Sequence, residues 1–207
     1  MKQTAFSTAR LNSLSDGVFA IAMTLLILEL KLPAGLDEAS GVFTAALVAQ
    51  IPRFISWILS FAILCRLWII SHGLLGTGTT RSRGFMTWNL VFLGAIAYIP
   101  FPTSLLSEHH DQALSVFIFS ATYAVAGLAL AGMAVAYRKQ LETARASRES
   151  GNVARAVSII LATTLISCSL ALFRPWLGVL IWGMYLFTSM LFVPARDSGD
   201  SPAGDDG

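Results

Sequence analysis

The apolar residues of this chain fall in six blocks separated by short polar segments, and their length and periodicity predict one membrane-crossing helix from each block. The blocks run from Arg10 to Leu32, about Ala45 to Leu75, Phe85 to Pro100, about Ala113 to Tyr137, about Val157 to Phe173, and Trp176 to Val193. The second block is too long for a straight crossing, and Pro52 near its start separates an interfacial segment from the crossing proper. Ala124, Ala126, Gly127, Ala129, Ala131 and Gly132 crowd the fourth block and predict close helix packing. The last two blocks meet at Arg174-Pro175, a turn short enough only for a hairpin. Between the others, LPAGLDEASG, GTGTTRSRG and SEHHDQ form turns or loops, and the highly charged RKQLETARASRESGNVAR lies outside the membrane. No small-residue cleavage site follows the first block, which argues against a cleaved signal peptide.

The first block, RLNSLSDGVFAIAMTLLILELKL, differs from the rest in carrying a Ser-Asp pair at its start. On a helical wheel Gly17, Ile21, Thr24, Leu28 and Leu32 form one stripe with Leu25 beside it, while Asp16 points roughly 120–140° away. The Asp16 face also holds Ala20, Met23 and Ile27 and is expected to pack. The stripe is free to line something, although the residues alone read first as an ordinary core or lipid-facing row.

Composition agrees with a polytopic membrane protein. The 207 residues are 55% hydrophobic and 13% charged, with a mean hydropathy of +0.68, far more apolar than a typical soluble domain. The net charge of +2 matters less than where the basic residues fall. The amino terminus, the linker with Arg81 and Arg83, and the segment holding Arg138, Lys139, Arg145, Arg148 and Arg155 are basic, whereas the linkers with Asp37/Glu38 and Glu108/Asp111 are acidic. Both termini are therefore expected in the cytoplasm, and an even number of spans agrees by placing them on one side. Cys65 and Cys168 lie within apolar blocks and are expected as buried thiols.

Polar residues at membrane depth carry whatever chemistry the chain has, because a charge at mid-helix costs roughly 2.5–3.5 kcal/mol on insertion scales and is usually paired or functional. Asp16 reads either as an anion in the opening turn of a helix, with Ser13 as cap, or as a working group. His72 follows Trp68 by four residues on one helical face, and Asn89 follows Trp88. By default these are interfacial aromatic and polar residues. His109 and His110, flanked by Glu108 and Asp111, are adjacent ligands on a loop and make a poor metal site. No nucleophile-base pair, phosphate loop or Cys/His metal spacing occurs, so no enzyme, metal, cofactor or nucleic-acid partner is expected.

The stretch Arg10-x-x-x-Leu14-Ser15-Asp16-Gly17-Val18-Phe19-Ala20-Ile21-Ala22-x-Thr24-Leu25-Leu26 resembles the signature of the bacterial members of the transmembrane protein 175 family, homologues of the endolysosomal potassium channel. Trp68-x-x-x-His72, Asn89 and Ile99-Pro100-Phe101 extend the resemblance, which is strongest over the first three spans. Leu14 stands where the family usually has Phe. The resemblance implies a homotetrameric, potassium-permeable channel in the cell membrane with helix 1 of each subunit lining a central pore. It implies an apolar constriction at Ile21 and Leu28 with Thr24 between and Leu25 beside them. It also implies a structural polar network of Arg10, Ser15, Asp16, Trp68, His72 and Asn89, in which Asp16 faces Asn89 and His72. Residues 1–193 would form the six-helix transmembrane channel domain and residues 194–207 a disordered acidic cytoplasmic tail. The competing reading of the same residues is a proton-coupled transporter or proton-conducting protein that titrates Asp16 and His72.

Overall fold

A computed structural model of the chain describes residues 6–31, 42–75, 80–141 and 144–191. LPAGLDEASG with Leu32 of the predicted stripe, the start of GTGTTRSRG and the acidic tail lie outside the described residues. The described chain is almost wholly helical. A two-residue strand β1 (Phe6–Ser7) leads into α1 (Thr8–Leu26), which tightens into a 3-10 turn at Ile27–Glu29. The helices α2 (Val42–Ala49) and α3 (Ile51–Leu75) follow, then the short strand β2 (Thr80–Arg81). After it come α4 (Arg83–Tyr98), α5 (Pro100–Glu108), α6 (Ala113–Leu141), α7 (Ala144–Ala171) and α8 (Pro175–Leu191).

Local sequence explains most of the breaks. Pro52 has no N–H and is tolerated only in a first turn, so the long second block divides at Gln50 into α2 and α3. Ser82 caps α4 by accepting a bond from the Phe85 N–H at 3.2 Å. Arg174 and Pro175 make the expected hairpin between α7 and α8.

One expectation is corrected. The third block does not stop at Pro100. Pro100 opens α5, where its fixed φ suits a first helical position, and the Thr103 N–H reaches back to the Ile99 carbonyl at 3.1 Å. The helical segment therefore runs on to Glu108 behind a break at Ile99. The charged segment after Tyr137 is largely helical, since α6 continues to Leu141 and α7 begins at Ala144. At 29 residues α6 is about 43 Å long, well beyond the ~30 Å apolar thickness of a bilayer.

Among the described residues four segments are long and apolar enough to cross a membrane: Ile51–Leu75, Arg83–Glu108, Ala113–Gln140 and Ser150–Ala171. The helix α8 is apolar but shorter, and the first two turns of α1 carry Arg10, Asn12, Ser13, Ser15 and Asp16, which hold its mean hydropathy down.

Helix α6 packs along both α4 and α7, α8 folds back on α7, and α1 lies against α3 and α4. Two glycines permit the closest approaches. A Cβ at Gly132 of α6 would fall inside the Trp88 indole of α4, and one at Gly178 of α8 would meet the Ser167 carbonyl and Val116. Polar side chains inside the bundle bond across helices. Trp182 donates to Ser120 (3.0 Å) and Ser167 to the Gly178 carbonyl (2.8 Å), while Ser60 and Thr103 share a bond of 2.8 Å. Around Trp182 gather the rings of Phe119, Tyr123 and Tyr185.

Charge separates along the bundle. The antiparallel pairing of β1 with β2 brings the starts of α1 and α4 together, and the Ser82 N–H donates to Gln140 at the end of α6 (3.0 Å). That end therefore holds Arg10, Arg81, Arg83, Arg138 and Lys139. At the opposite end Arg53 reaches the Lys31 carbonyl (3.4 Å) and pairs with Glu108 (3.7 Å), close to Asp111 in the sequence.

Candidate functional site

The buried face of α1 is the row Leu11, Ser15, Phe19, Ala22 and Leu26, spaced by three and four residues as a helix requires. Phe19 anchors it by packing its ring on Phe92 of α4 at 5.8 Å. Roughly 140° around the helix lies the row Gly17, Ile21, Thr24 and Leu28. That row faces away from the bundle: Ile21 is 61% exposed, Leu28 57% and the adjoining Leu25 42%. Thr24 commits its hydroxyl proton to the Ile21 carbonyl at 2.9 Å. A strip of largely branched apolar side chains is thus presented by one helix to whatever lies outside the bundle.

The expectation that the Asp16 face packs is corrected. Ala20 and Ile27 are exposed and Met23 is only partly buried, because the core lies a third of a turn further round, beneath Phe19 and Ala22. Asp16 itself is exposed and reaches α3, where its Oδ1 accepts a bond from Trp68 Nε1 at 2.9 Å. His72, one turn further along α3, lies against the Trp68 ring with centroids 5.5 Å apart. The three side chains form a ladder joining α1 to α3.

Asn89 does not belong to that ladder. It is fully buried, and both its amide oxygen and its nitrogen lack a partner. Ser15, on the buried row of α1, is likewise unpartnered, as are the side-chain oxygens of Thr8 and Asn12 on the same side. Ser15 lies one turn before Phe19 and Asn89 one turn before Phe92, so the two sit at one level between parallel helices. Of the six residues expected in one network, the structure joins Asp16, Trp68 and His72, buries Ser15 on α1 and Asn89 on α4, and leaves Arg10 exposed at the start of α1.

Arg81 was overlooked as a structural residue. Read as a linker cation, it is instead 4% exposed and donates from Nη2 to the Leu74 and Leu75 carbonyls at 3.1 and 2.8 Å. Its guanidinium lies over the rings of Phe85 (5.3 Å) and Tyr137 (5.0 Å). It thereby satisfies the last carbonyls of α3 and ties that helix to α4 and α6. The available signal was an arginine shortly after a helix end and four residues before an aromatic.

Among the described residues no three His, Cys, Asp or Glu side chains gather as metal ligands. The thiols of Cys65 and Cys168 are free and half-buried.

Residues 10–100 match the family described as the endosomal/lysosomal potassium channel TMEM175. A protein of Chamaesiphon minutus named as a potassium channel is 35% identical over 108 residues, 51% of this chain and 53% of its own length. The human protein named endosomal/lysosomal proton channel TMEM175 is 38% identical over 99 residues, 44% of this chain and 20% of its own. The chain thus spans about half the length of the first of these relatives and a fifth of the second. A solved structure of a lysosomal potassium-selective channel TMEM175 homologue from Chamaesiphon minutus superposes with a TM-score of 0.65 at 25% identity, covering 89% of this chain and 96% of that one. Its agreement extends over α6, α7 and α8, beyond the residues that the family pattern matches. Over residues 10–100 the chain is thus similar to the TMEM175 family, and over most of its length its fold matches that of a TMEM175 homologue.

Proposed function

We propose that this protein is a potassium-permeable cation channel of the cell membrane, a homotetramer in which α1 of each subunit lines a central pore. The observation that carries this reading is the exposure of Ile21 and Leu28 on the side of α1 opposite its buried row. The relatives named as potassium channels and the shared fold support it. Six spans per subunit, α1 and α8 completing the four long ones, leave both termini on the side of the basic end, which the positive-inside rule assigns to the cytoplasm. Residues 1–193 form the channel domain, with 194–207 as an acidic cytoplasmic tail. Potassium is the permeant ion, and no cofactor or nucleic acid takes part.

In this arrangement four copies of Ile21 and Leu28, with Thr24 and Leu25 alongside, ring the axis. Narrow apolar rings exclude ions by expelling water and pass them when slightly widened. They cannot coordinate potassium as carbonyls do, so discrimination rests on the difference in cost between shedding the hydration shells of potassium and sodium. Asp16 lies off the ring and acts as a brace that sets the tilt of α1 through Trp68.

The test is flux from purified protein in liposomes. Ile21→Asn places amides in the ring, so conduction rises about tenfold or more while preference for potassium over sodium falls. Met23→Asn, partly buried on another face, alters packing and leaves the ion preference alone. An Ile21→Asn protein that assembles normally and conducts both ions like the parent removes the ring from the mechanism.

A proton-conducting role is the second reading, favoured by the ladder of Asp16, Trp68 and His72 and by the name of the human relative. The indole between the two titratable groups donates one N–H and accepts none, so it cannot pass a proton from one to the other. Proton flux lost in both Asp16→Asn and His72→Gln, with potassium flux intact, decides for this reading.

A further inference from the structure

Between the start of α4 and the end of α6 lies a groove of about 410 Å³. Its floor is apolar, made by Trp88, Gly132, Val135 and Ala136, and its mouth is polar, with Ser82, Lys139 and Gln140. Gly84 forms one wall, and a Cβ there would meet nothing within 4 Å, so a longer side chain at this position has room to enter the groove. Trp88 and Lys139 are both exposed.

The groove straddles the boundary of the membrane. Lys139 lies in the last turn of a helix whose apolar run ends near Arg138, while Gly132 and Val135 lie one to two turns inside it. None of the lining side chains is acidic, and the exposed Arg83 and Arg138 flank the lining residues Gly84 and Lys139 in sequence. A cleft that is apolar inward of this boundary and cationic at it is complementary to one kind of molecule abundant there, a lipid with a negatively charged headgroup. We propose that the α4–α6 groove binds an anionic glycerophospholipid, its phosphate against Lys139 and the upper part of one acyl chain on Trp88 and Gly132. Snorkelling Lys139 closes over the headgroup while its aliphatic stem covers the chain. The site is lined by α4, its capping Ser82 and α6, and does not depend on how the ion path is built.

The experiment counts lipids retained by the full-length protein when it is released from nanodiscs of mixed phosphatidylglycerol and phosphatidylcholine into a mass spectrometer. The parent keeps phosphatidylglycerol in preference. Lys139→Ala lowers that preference about fivefold, the worth of one lysine near an anionic surface. Gly84→Leu grows a side chain into open space and removes the retained lipid, whereas Arg174→Ala at the other end of the bundle changes nothing. Glycerol 3-phosphate, which has the charge without the chains, does not displace the lipid. Should Gly84→Leu not fold, Lys139→Ala against Arg174→Ala decides alone. A parent with no preference for phosphatidylglycerol, or Gly84→Leu that retains it fully, overturns the proposal. Unchanged lipid counts with a smaller oligomer in Gly84→Leu also overturn it, and place a second copy of this chain in the groove.

Discussion

Arg81 shows how much one side chain can fasten. Its guanidinium spans the end of α3, the first turn of α4 and the last turns of α6, bonding two carbonyls and lying over two rings. Removing it leaves the Leu74 and Leu75 carbonyls unpaired in a buried place, at about 1–3 kcal/mol each. Arg81→Ala is therefore expected to lower thermal stability by about 2–4 kcal/mol. Arg81→Lys recovers little of this, since a lysine offers neither the planar fork nor the flat face that two rings require. Melting of purified Arg81→Ala and Arg81→Lys in detergent checks both statements, and a lysine variant as stable as the parent contradicts the second. Nothing in the linker GTGTTRSRG distinguishes this arginine from Arg83, which is exposed. The difference arises because Tyr137, far along the chain, comes to lie beside one and not the other. Asp16 is the reverse case: that it needed a partner could be read from its place in an apolar block, and Trp68 was near at hand on the face shared with His72.

Among the elements, those governed by local chemistry could be read from sequence and those governed by packing could not. Pro52, Arg174-Pro175 and the small residues of α6 announce a break, a hairpin and a close contact, and each is found where expected. Pro100 misleads because a proline that ends one helix and a proline that opens the next look the same in sequence. What distinguishes them is whether a further apolar face follows, here Pro102, Thr103 and Leu106 turned inward. The orientation of α1 was harder still, since three of its faces are largely apolar and only the partner helices choose the buried one. The contact of α6 with α4 gives the test at this scale. Gly132→Ala forces the Trp88 indole out of place, with an expected loss of about 1–3 kcal/mol from overpacking. Gly183→Ala, whose Cβ meets nothing, is expected to be neutral or slightly stabilising. Equal melting temperatures for the two would show that α4 and α6 stand further apart than described.

For the molecule as a whole, the division of charge between its two ends predicts its placement in the membrane. With the basic end inside, a cysteine replacing Ser147 is labelled only from the cytoplasm and one replacing Glu108 only from outside; labelling of Ser147 from outside reverses the topology. The same basic end holds the small antiparallel pairing of Phe6 with Arg81 and of Ser7 with Thr80. Since Arg81 is itself locked into three helices, that pairing makes a fulcrum for α1. A rigid rod fastened at its foot swings as a lever, and displacement grows with distance from the pivot. Ile21 lies about 21 Å and Leu28 about 31 Å along the helix from Ser7, so a rotation of about 5° carries the first by about 2 Å and the second by about 3 Å. If four such levers surround an axis, their far ends part first and widest, and the opening is a funnel whose neck is the ring nearer the fulcrum.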